Sequence, residues 1–548
     1  MNDTFFGSLH PYYEKGHING RTMANAGFMT ALLRRDPFAE YHFFVAQPDS
    51  LATLLKTPPL AALPAVQRGA VRTFQRTALP QSLRHNPYAV FHFSDPVSEY
   101  SALCQARNAW APQIFPITAV NHSISYTHYN SAFLQHIWSG VSPRDAIGCN
   151  SSAAKLVIEK YFRLLQCNYA SPACQRVPLL RVIPMGVEPP ALLPDNPQGA
   201  APRASMRKKL EASTGSILCL VFGRISLTDK LDPTPLMLAL RRARQDCPTL
   251  DIRLIMAGFA RLGDNTAEYL RAVAKILDIP FCLLPNPTDE EKNALFAAAD
   301  IFVSPSDNVQ ETFGLSLLEA GAAHLPTIAS DWDGYRDIII PQRTGLLVPT
   351  MAPADTPELD LLSPLLFDNQ HHVLRSQQSA VSVPELAAAL CLLAADAPLR
   401  ERMGQQAHAH VLEHFTWDAV VSRWLNLWQE LRDTPLSPAA HEQLRHTRHP
   451  THLPTGALFA PYASHSLCPD TRVRCTALGE TLRRGSIPFQ AFTTFDNMPS
   501  PEEIMPLLVW ARAGTSLAQL HSRSPNMPPE KLNYYILWAL KHDLLEQE

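Results

Sequence analysis

Short, unbroken apolar runs alternate with stretches of helical periodicity along most of this chain. Such alternation predicts parallel β-sheet connected by helices, an α/β fold. In the first part the runs fall at Thr4 to Ser8, Tyr41 to Ala46, Ala89 to Phe93, Ile117 to Asn121, Ala146 to Asn150 and Val182 to Pro184, with a helix expected from Met23 to Arg35. A second series follows at Ile217 to Phe222, Ile252 to Ala257, Phe281 to Leu284, Ile301 to Ser304, Thr327 to Ser330 and Leu346 to Val348. Between them, Glu188 through Pro202 is rich in proline and alanine and reads as a linker. The expected division is therefore a domain over 1–190, a linker over 191–205, a second domain over 206–434 and an extension over 435–548.

One segment carries more chemistry than any other, Ser306-Asp307-Asn308-Val309-Gln310-Glu311-Thr312-Phe313-Gly314-Leu315-Ser316-Leu317-Leu318-Glu319-Ala320. A buried strand gives way here to a helix, so Glu311 is expected in the loop and Glu319 more than one turn into the helix. That loop leaves a strand's carboxyl end, where open α/β sheets bind ligands. Helix N–H groups around Gly314 and Leu315 would face an anion, and a glycine lets a phosphate approach the backbone. Two carboxylates able to grip hydroxyls beside an anion site suggest a sugar joined to a phosphate.

The segment resembles the E-x7-E element of retaining, family-4-like glycosyltransferases (glycosyl transferases group 1), which have the GT-B fold. The resemblance continues through Gly321 to Ser330, Gly334, Asp337 and Thr344 to Val348, and extends over about residues 4 to 432. It implies two Rossmann-like domains facing across a cleft, a nucleoside-diphosphate sugar as donor, retention of anomeric configuration and no metal or other cofactor. Arg224 and Lys230, after the strand ending Phe222-Gly223, would meet the donor diphosphate. Glu311 would hold the donor sugar and Glu319 the ribose, with His122 facing the sugar from the first domain. Gly16 and Gly20, in the first turn, match the family's glycine-containing loop, although the usual adjacent pair is spread apart. His10 and His128 are rivals to His122. The closing strands of the first domain and Trp417, Trp424 and Trp428 match architectural positions, the latter on a helix that returns to the first domain.

Composition narrows the partners. A formal net charge of −3 gives no nucleic-acid footprint. Ten cysteines without a C-x-x-C pair suit a reducing compartment. The N-terminal residues lack the pattern of a secretory signal, and no apolar run reaches the length of a membrane span. The expectation is a cytoplasmic protein, with peripheral membrane contact left open. The acceptor stays unassigned: glycan, lipid-linked, protein or small molecule. Asp331-Trp332-Asp333 has the spacing of a metal motif but reads as local loop chemistry.

Two regions depart from the family pattern. Pro349 to Ser382 is a proline-rich, polar insertion. The extension's last part alternates helical patterns with breaks at Gly514 and Pro525 to Pro529, which predicts a small, mainly helical, winged-helix-like module. It is mildly acidic, which points to docking a protein partner or a second copy rather than DNA. Two other functions remain open: a nucleotide-sugar epimerase on the same fold, or a non-catalytic sugar-nucleotide-binding scaffold acting through the extension.

Overall fold

The computed structural model describes residues 3–14, 20–138, 140–168, 176–189, 197–228, 230–260, 265–489 and 498–548. The larger of its two compact units extends to His449, apart from residues 74–82. It contains two sheets. The first comprises β1 (Phe5–Ser8), β2 (Glu40–Phe44), β3 (Val71–Phe74), β4 (Tyr88–Phe93), β5 (Ile117–Val120), β6 (Ala146–Cys149) and β7 (Leu179–Val182), in the order β3-β2-β1-β4-β5-β6-β7. The second comprises β8 (Ile217–Phe222), β9 (Ile252–Gly258), β10 (Phe281–Pro285), β11 (Ile301–Ser304), β12 (Thr327–Ser330) and β13 (Gly345–Val348), in the order β10-β9-β8-β11-β12-β13.

Neighbours from β2 to β7, and throughout the second sheet, run parallel. β4, β6, β11 and β12 are buried at every position. Helices cover both faces of a parallel sheet, so such strands read as unbroken apolar runs. Each sheet reverses its strand order once, between β1 and β4 and between β8 and β11. Loops leaving the carboxyl ends diverge at such a point and open a crevice. This is the GT-B arrangement of two Rossmann-like domains.

Three local differences from the sequence expectations have physical causes. β3, Val-Arg-Thr-Phe, was not anticipated; it is a short, half-exposed edge strand whose alternation is too brief to stand out. β7 lies three residues earlier than expected at its start, at an exposed edge where burial does not sharpen the pattern. The later part of the expected linker is a helix, Pro197–Lys209. Arg203 and Arg207 tie that helix to Asp300 at 2.7 and 2.9 Å, which holds it against the second domain despite Pro202.

The chain then returns to the first domain. Helix Trp417–Asp433, capped by Thr416, follows a bridge between Val187 and Thr416. Its tryptophans fill places left by glycines: a Cβ at Gly148 would lie 2.3 Å from the Trp424 ring, and one at Gly27 2.3 Å from Trp417. Trp428 is fully buried and donates its indole N–H to Thr118 Oγ1 at 3.0 Å. The unit continues past Thr434: helix Pro438–His446 follows, Trp138 donates to the Arg448 carbonyl at 3.1 Å, and His449 meets the Gln135 carbonyl at 3.0 Å.

The insertion is a closed excursion. β14 (Thr350–Met351) pairs antiparallel with β15 (Ala380–Val381), and helices Pro357–Leu362 and Asp368–Ser376 lie between them. The second unit holds residues 450–548 with 74–82. Its helices Pro501–Trp510, Leu517–Arg523 and Pro529–Lys541 pack with a small antiparallel sheet of β16 (Arg472–Cys475), β17 (Thr515–Ser516) and β18 (Leu545–Gln547). Leu507, Leu520, Leu532 and Ile536 are buried in its own core. Among the described residues no helix is long and apolar enough to cross a membrane.

Candidate functional site

The carboxyl ends of β8 and β11 meet at the second sheet's switch point, and the expected charged residues meet there too. Lys230 Nζ forms an ion pair with Glu311 Oε2. Residues on either side of and including the lysine are bound to the loop after β11: Ser306 Oγ donates to the Lys230 carbonyl at 3.1 Å and Asn308 Nδ2 to the Thr228 carbonyl at 3.2 Å. Asp232 N–H donates to Asp307 Oδ1 at 3.3 Å. Burial and the nearby Asp232 carboxylate, set against the hydrogen bond from the Asp232 N–H, push the Asp307 carboxyl up to about 7.

Glu311 is desolvated, which by itself would raise its pKa. The Lys230 ammonium, the Phe313 N–H and the Tyr335 hydroxyl outweigh that, and its carboxyl titrates below the usual carboxylate range. Tyr335 donates to Glu311 Oε2 at 3.3 Å and shares a 2.8 Å hydrogen bond with Ser304 at the end of β11. The glutamate is thus ionised and fixed before any ligand arrives.

Gly314 begins helix Leu315–Ala322 in the left-handed region, with φ +109°. A side chain would be strained there and would place its Cβ 2.5 Å from the Tyr335 ring. No side chain caps this helix. Its first N–H groups therefore stand at a strand-to-helix turn without a capping acceptor. Within the helix, Glu319 pairs with Lys292 at 2.6 Å, and Lys292 Nζ sits 5.4 Å from the Phe222 ring centroid. Arg224 lies with Gly223 and Lys230 on the wall of an open pocket at the end of β8.

His122 comes from the other domain, two residues beyond β5. Its Nε2 is 3.0 Å from Asn25 Oδ1 on helix Gly20–Arg35. Burial, reinforced by the Arg21 charge, lowers its pKa to about 4, so the ring is neutral at pH 7. Its carbonyl accepts from Thr312 Oγ1 at 2.7 Å, and Asn150 Nδ2 donates to the same hydroxyl at 2.9 Å. Thr312 therefore places the residue beside Glu311 against the histidine's backbone.

Gly20 opens its helix opposite Leu315, whose Cδ1 would lie 3.8 Å from a Cβ on that glycine. Gly16 lies outside the described residues. The rival histidines are otherwise engaged. His10 Nδ1 is 2.6 Å from Ser94 Oγ while Nε2 faces Glu99 at 3.4 Å, and His128 is largely exposed, 3.8 Å from Asp368.

Six residues at this place were given no role by the sequence reading, Asn25, Asn150, Lys292, Asp307, Thr312 and Tyr335, although Asp307 and Thr312 stand inside the segment it singled out. Tyr335 had a usable signal, an aromatic directly after Gly334 in the loop following β12. The others have none, because their partners are distant in sequence.

Residues 202–358, within the second α/β domain and the helix before it, match the family model described as glycosyl transferases group 1. The D-inositol 3-phosphate glycosyltransferase of Xylanimonas cellulosilytica is 29% identical over 192 residues, 35% of this chain and 43% of that protein. The chain spans about half the length of the curated relatives it matches. A glycosyltransferase from Rickettsia africae superposes with TM-score 0.53 at 13% identity, over 79% of this chain and 100% of that one. Anabaena HepE, solved in complex with UDP and glucose, gives 0.51 at 14%, over 78% and 100%.

Proposed function

We propose that this chain transfers a sugar from a nucleoside-diphosphate sugar to an acceptor hydroxyl, with retention of anomeric configuration and without a metal or other cofactor. The observation that carries this is the Lys230–Glu311 pair beside the uncapped start of helix Leu315–Ala322, at the switch point of the second sheet. The family match over that domain and the fold shared with the UDP-bound HepE structure support it.

In this reading the donor diphosphate lies between Arg224, Lys230 and the Gly314–Leu315 N–H groups. The bond from the anomeric carbon to the phosphate oxygen breaks, its electron pair going to the leaving diphosphate. Fixed cations and helix N–H groups stabilise that charge as it develops, with no reorganisation at the moment of reaction. Glu311, held ionised, accepts from a hydroxyl of the donor sugar, and Glu319 accepts from the ribose. The acceptor oxygen bonds the anomeric carbon on the face just vacated, and its proton passes to the departing phosphate oxygen. Neutral His122 offers a hydrogen bond to the sugar without drawing the diphosphate away from the lysine.

A thermal-shift panel of UDP-, GDP- and ADP-glucose tests the binding half, since a ligand that binds the folded state raises stability by mass action. The expected result is a rise with one base, followed by release of that nucleoside diphosphate and an axial or equatorial product linkage matching the donor. An inverted linkage would remove retention from the proposal. Epimerised donor, or binding without release, would favour the two rival functions.

A further inference from the structure

We propose that Asp368 and His372, on the insertion helix Asp368–Ser376, are positioning residues for glycosyl transfer: they hold the first-domain loop 124–128 in register with the Lys230–Glu311 pair. This rests on the glycosyltransfer reading above and adds residues that the group 1 motif does not contain.

The helix reaches both sides of the cleft. At its first turn, Asp368 Oδ1 accepts from the Thr127 backbone N–H and from Thr127 Oγ1, each at 3.1 Å. One turn later on the same face, His372 is fully buried, with Nε2 2.9 Å from Ser125 Oγ. Between those two contacts the Tyr126 ring stands edge-on to the His372 ring at 5.3 Å. Tyr126 Oη in turn accepts from Gln310 Nε2 at 2.6 Å, and Gln310 precedes Glu311. Just beyond the helix's other end, Gln377 Nε2 donates to Asp232 Oδ2 at 3.2 Å, on the loop that carries Lys230. The helix and the residue that ends it therefore contact the loop that follows His122 and the loop that carries Lys230.

The physical argument is one of tolerance. The proposed site takes groups from two domains, and misplacing a reacting group by about 1 Å costs on the order of 100-fold in rate. Outside the insertion, the loop after β11 meets the first domain through the Gln310–Tyr126 hydrogen bond and through the Thr312 hydroxyl, which the His122 carbonyl and Asn150 share. The insertion is tied at its base, where β14 pairs with β15 and the Ser382 N–H donates to the Pro349 carbonyl at 3.0 Å.

The test compares alanine and conservative variants of the full chain. Asp368→Ala and His372→Ala should lower the rate of nucleoside diphosphate release about 10- to 100-fold while the Kd for the bound donor, chosen from UDP-, GDP- and ADP-glucose, changes less than about twofold. Asp368→Asn keeps an oxygen for Thr127, and His372→Gln keeps a polar group for Ser125; both should recover most of the rate. Amide hydrogen exchange at 124–128 should rise in the alanine variants and return in the conservative ones. Alanine variants with wild-type rate and exchange would overturn the proposal, as would equal losses of rate, donor affinity and melting temperature in all four variants. A wild-type chain that neither binds nor cleaves any of the three donors would instead remove the functional reading, while the exchange measurement would still report whether these side chains hold the loop.

Discussion

The two α/β domains share one topology but treat charge at their strand ends in opposite ways. In the second domain, two carboxylates are met by lysines: Glu311 by Lys230 and Glu319 by Lys292. In the first, the titratable groups beneath the cleft are buried histidines kept neutral. Desolvation lowers His92 to about 3 and His122 to about 4. The division suits the proposed chemistry. Charge that must stabilise a leaving diphosphate is fixed in advance on one side, and the other side offers hydrogen bonds without a competing cation.

Lys230→Ala should produce the largest effect. Loss of one preorganised donor to a developing oxyanion costs about 100- to 1,000-fold in kcat. The same change leaves Glu311 buried without its partner, which is destabilising in its own right. The double variant Lys230→Ala/Glu311→Gln removes that second cost, so its melting temperature should recover while its kcat does not. Wild-type kcat in Lys230→Ala would break the contrast, because the second domain's charge pair would then be structural only.

Acid should separate the domains next. His122 binds a proton near pH 6.5 when unfolded but near 4 when folded, so the unfolded state takes up more protons between those values and stability falls as pH drops. Between pH 7 and pH 5 this amounts to about 2 kcal/mol for one such histidine. Asp307 has the opposite sign. Its folded pKa of about 7 lies above the unfolded value, so the stability it contributes is present in acid and lost as pH rises toward 7. Urea denaturation at both pH values, with His122→Asn and Asp307→Asn, measures each slope. The asparagine at 122 should flatten the acid loss, and the one at 307 should flatten the loss on the alkaline side.

How much of this was legible in the sequence differs between the same two domains. In the second, the loop after β11 carries its whole signal in one continuous segment, and Glu311, Gly314, Leu315 and Glu319 lie where the spacing put them. Lys230 could be matched because it follows β8 closely. What stayed hidden were contacts between elements: Lys292 reaches Glu319, and Asp307 the Asp232 N–H, only in the folded chain, whereas Tyr335 had the signal of an aromatic directly after Gly334. In the first domain, His122 was legible from its place after an apolar run, but Asn25 and Asn150, which meet His122 and Thr312, look like ordinary helix and loop residues. The insertion is the extreme case. Its composition reads as a polar loop, whereas Asp368 and His372 work through contacts with residues 125–127.

A smaller effect is expected at Glu319. It is partly exposed and already paired with Lys292, so Glu319→Ala removes one charge-assisted hydrogen bond to the donor and frees a lysine that solvent can reach. Donor Kd should rise about tenfold, corresponding to about 1.5 kcal/mol, with kcat little changed. Titration calorimetry checks the first and steady-state release the second. A fall in kcat at unchanged Kd would move Glu319 from ribose binding to the reacting centre, and the two carboxylates of the second domain would no longer have separate roles.

The smallest expected effect is none at all, on adding EDTA. The second domain supplies its own positive charge through Lys230, Arg224 and the first N–H groups of helix Leu315–Ala322. The acidic loop nearest to them is turned to other work. Asp331 Oδ1 is taken by Arg336 at 2.6 Å, and Trp332 donates its indole N–H to the Asn308 carbonyl at 3.2 Å, which fastens the loop over the strand end. Burial, with the neighbouring Glu311 charge, pushes Asp333 well above the usual carboxylate range, which disfavours the anionic form a cation would need. Nucleoside diphosphate release should therefore proceed at the same rate before and after chelation, and Asp331→Asn should behave as a surface substitution. A rate abolished by EDTA and restored by manganese would show that a cation shares the diphosphate with Lys230, and the charge contrast between the domains would then have to include a metal on the second side.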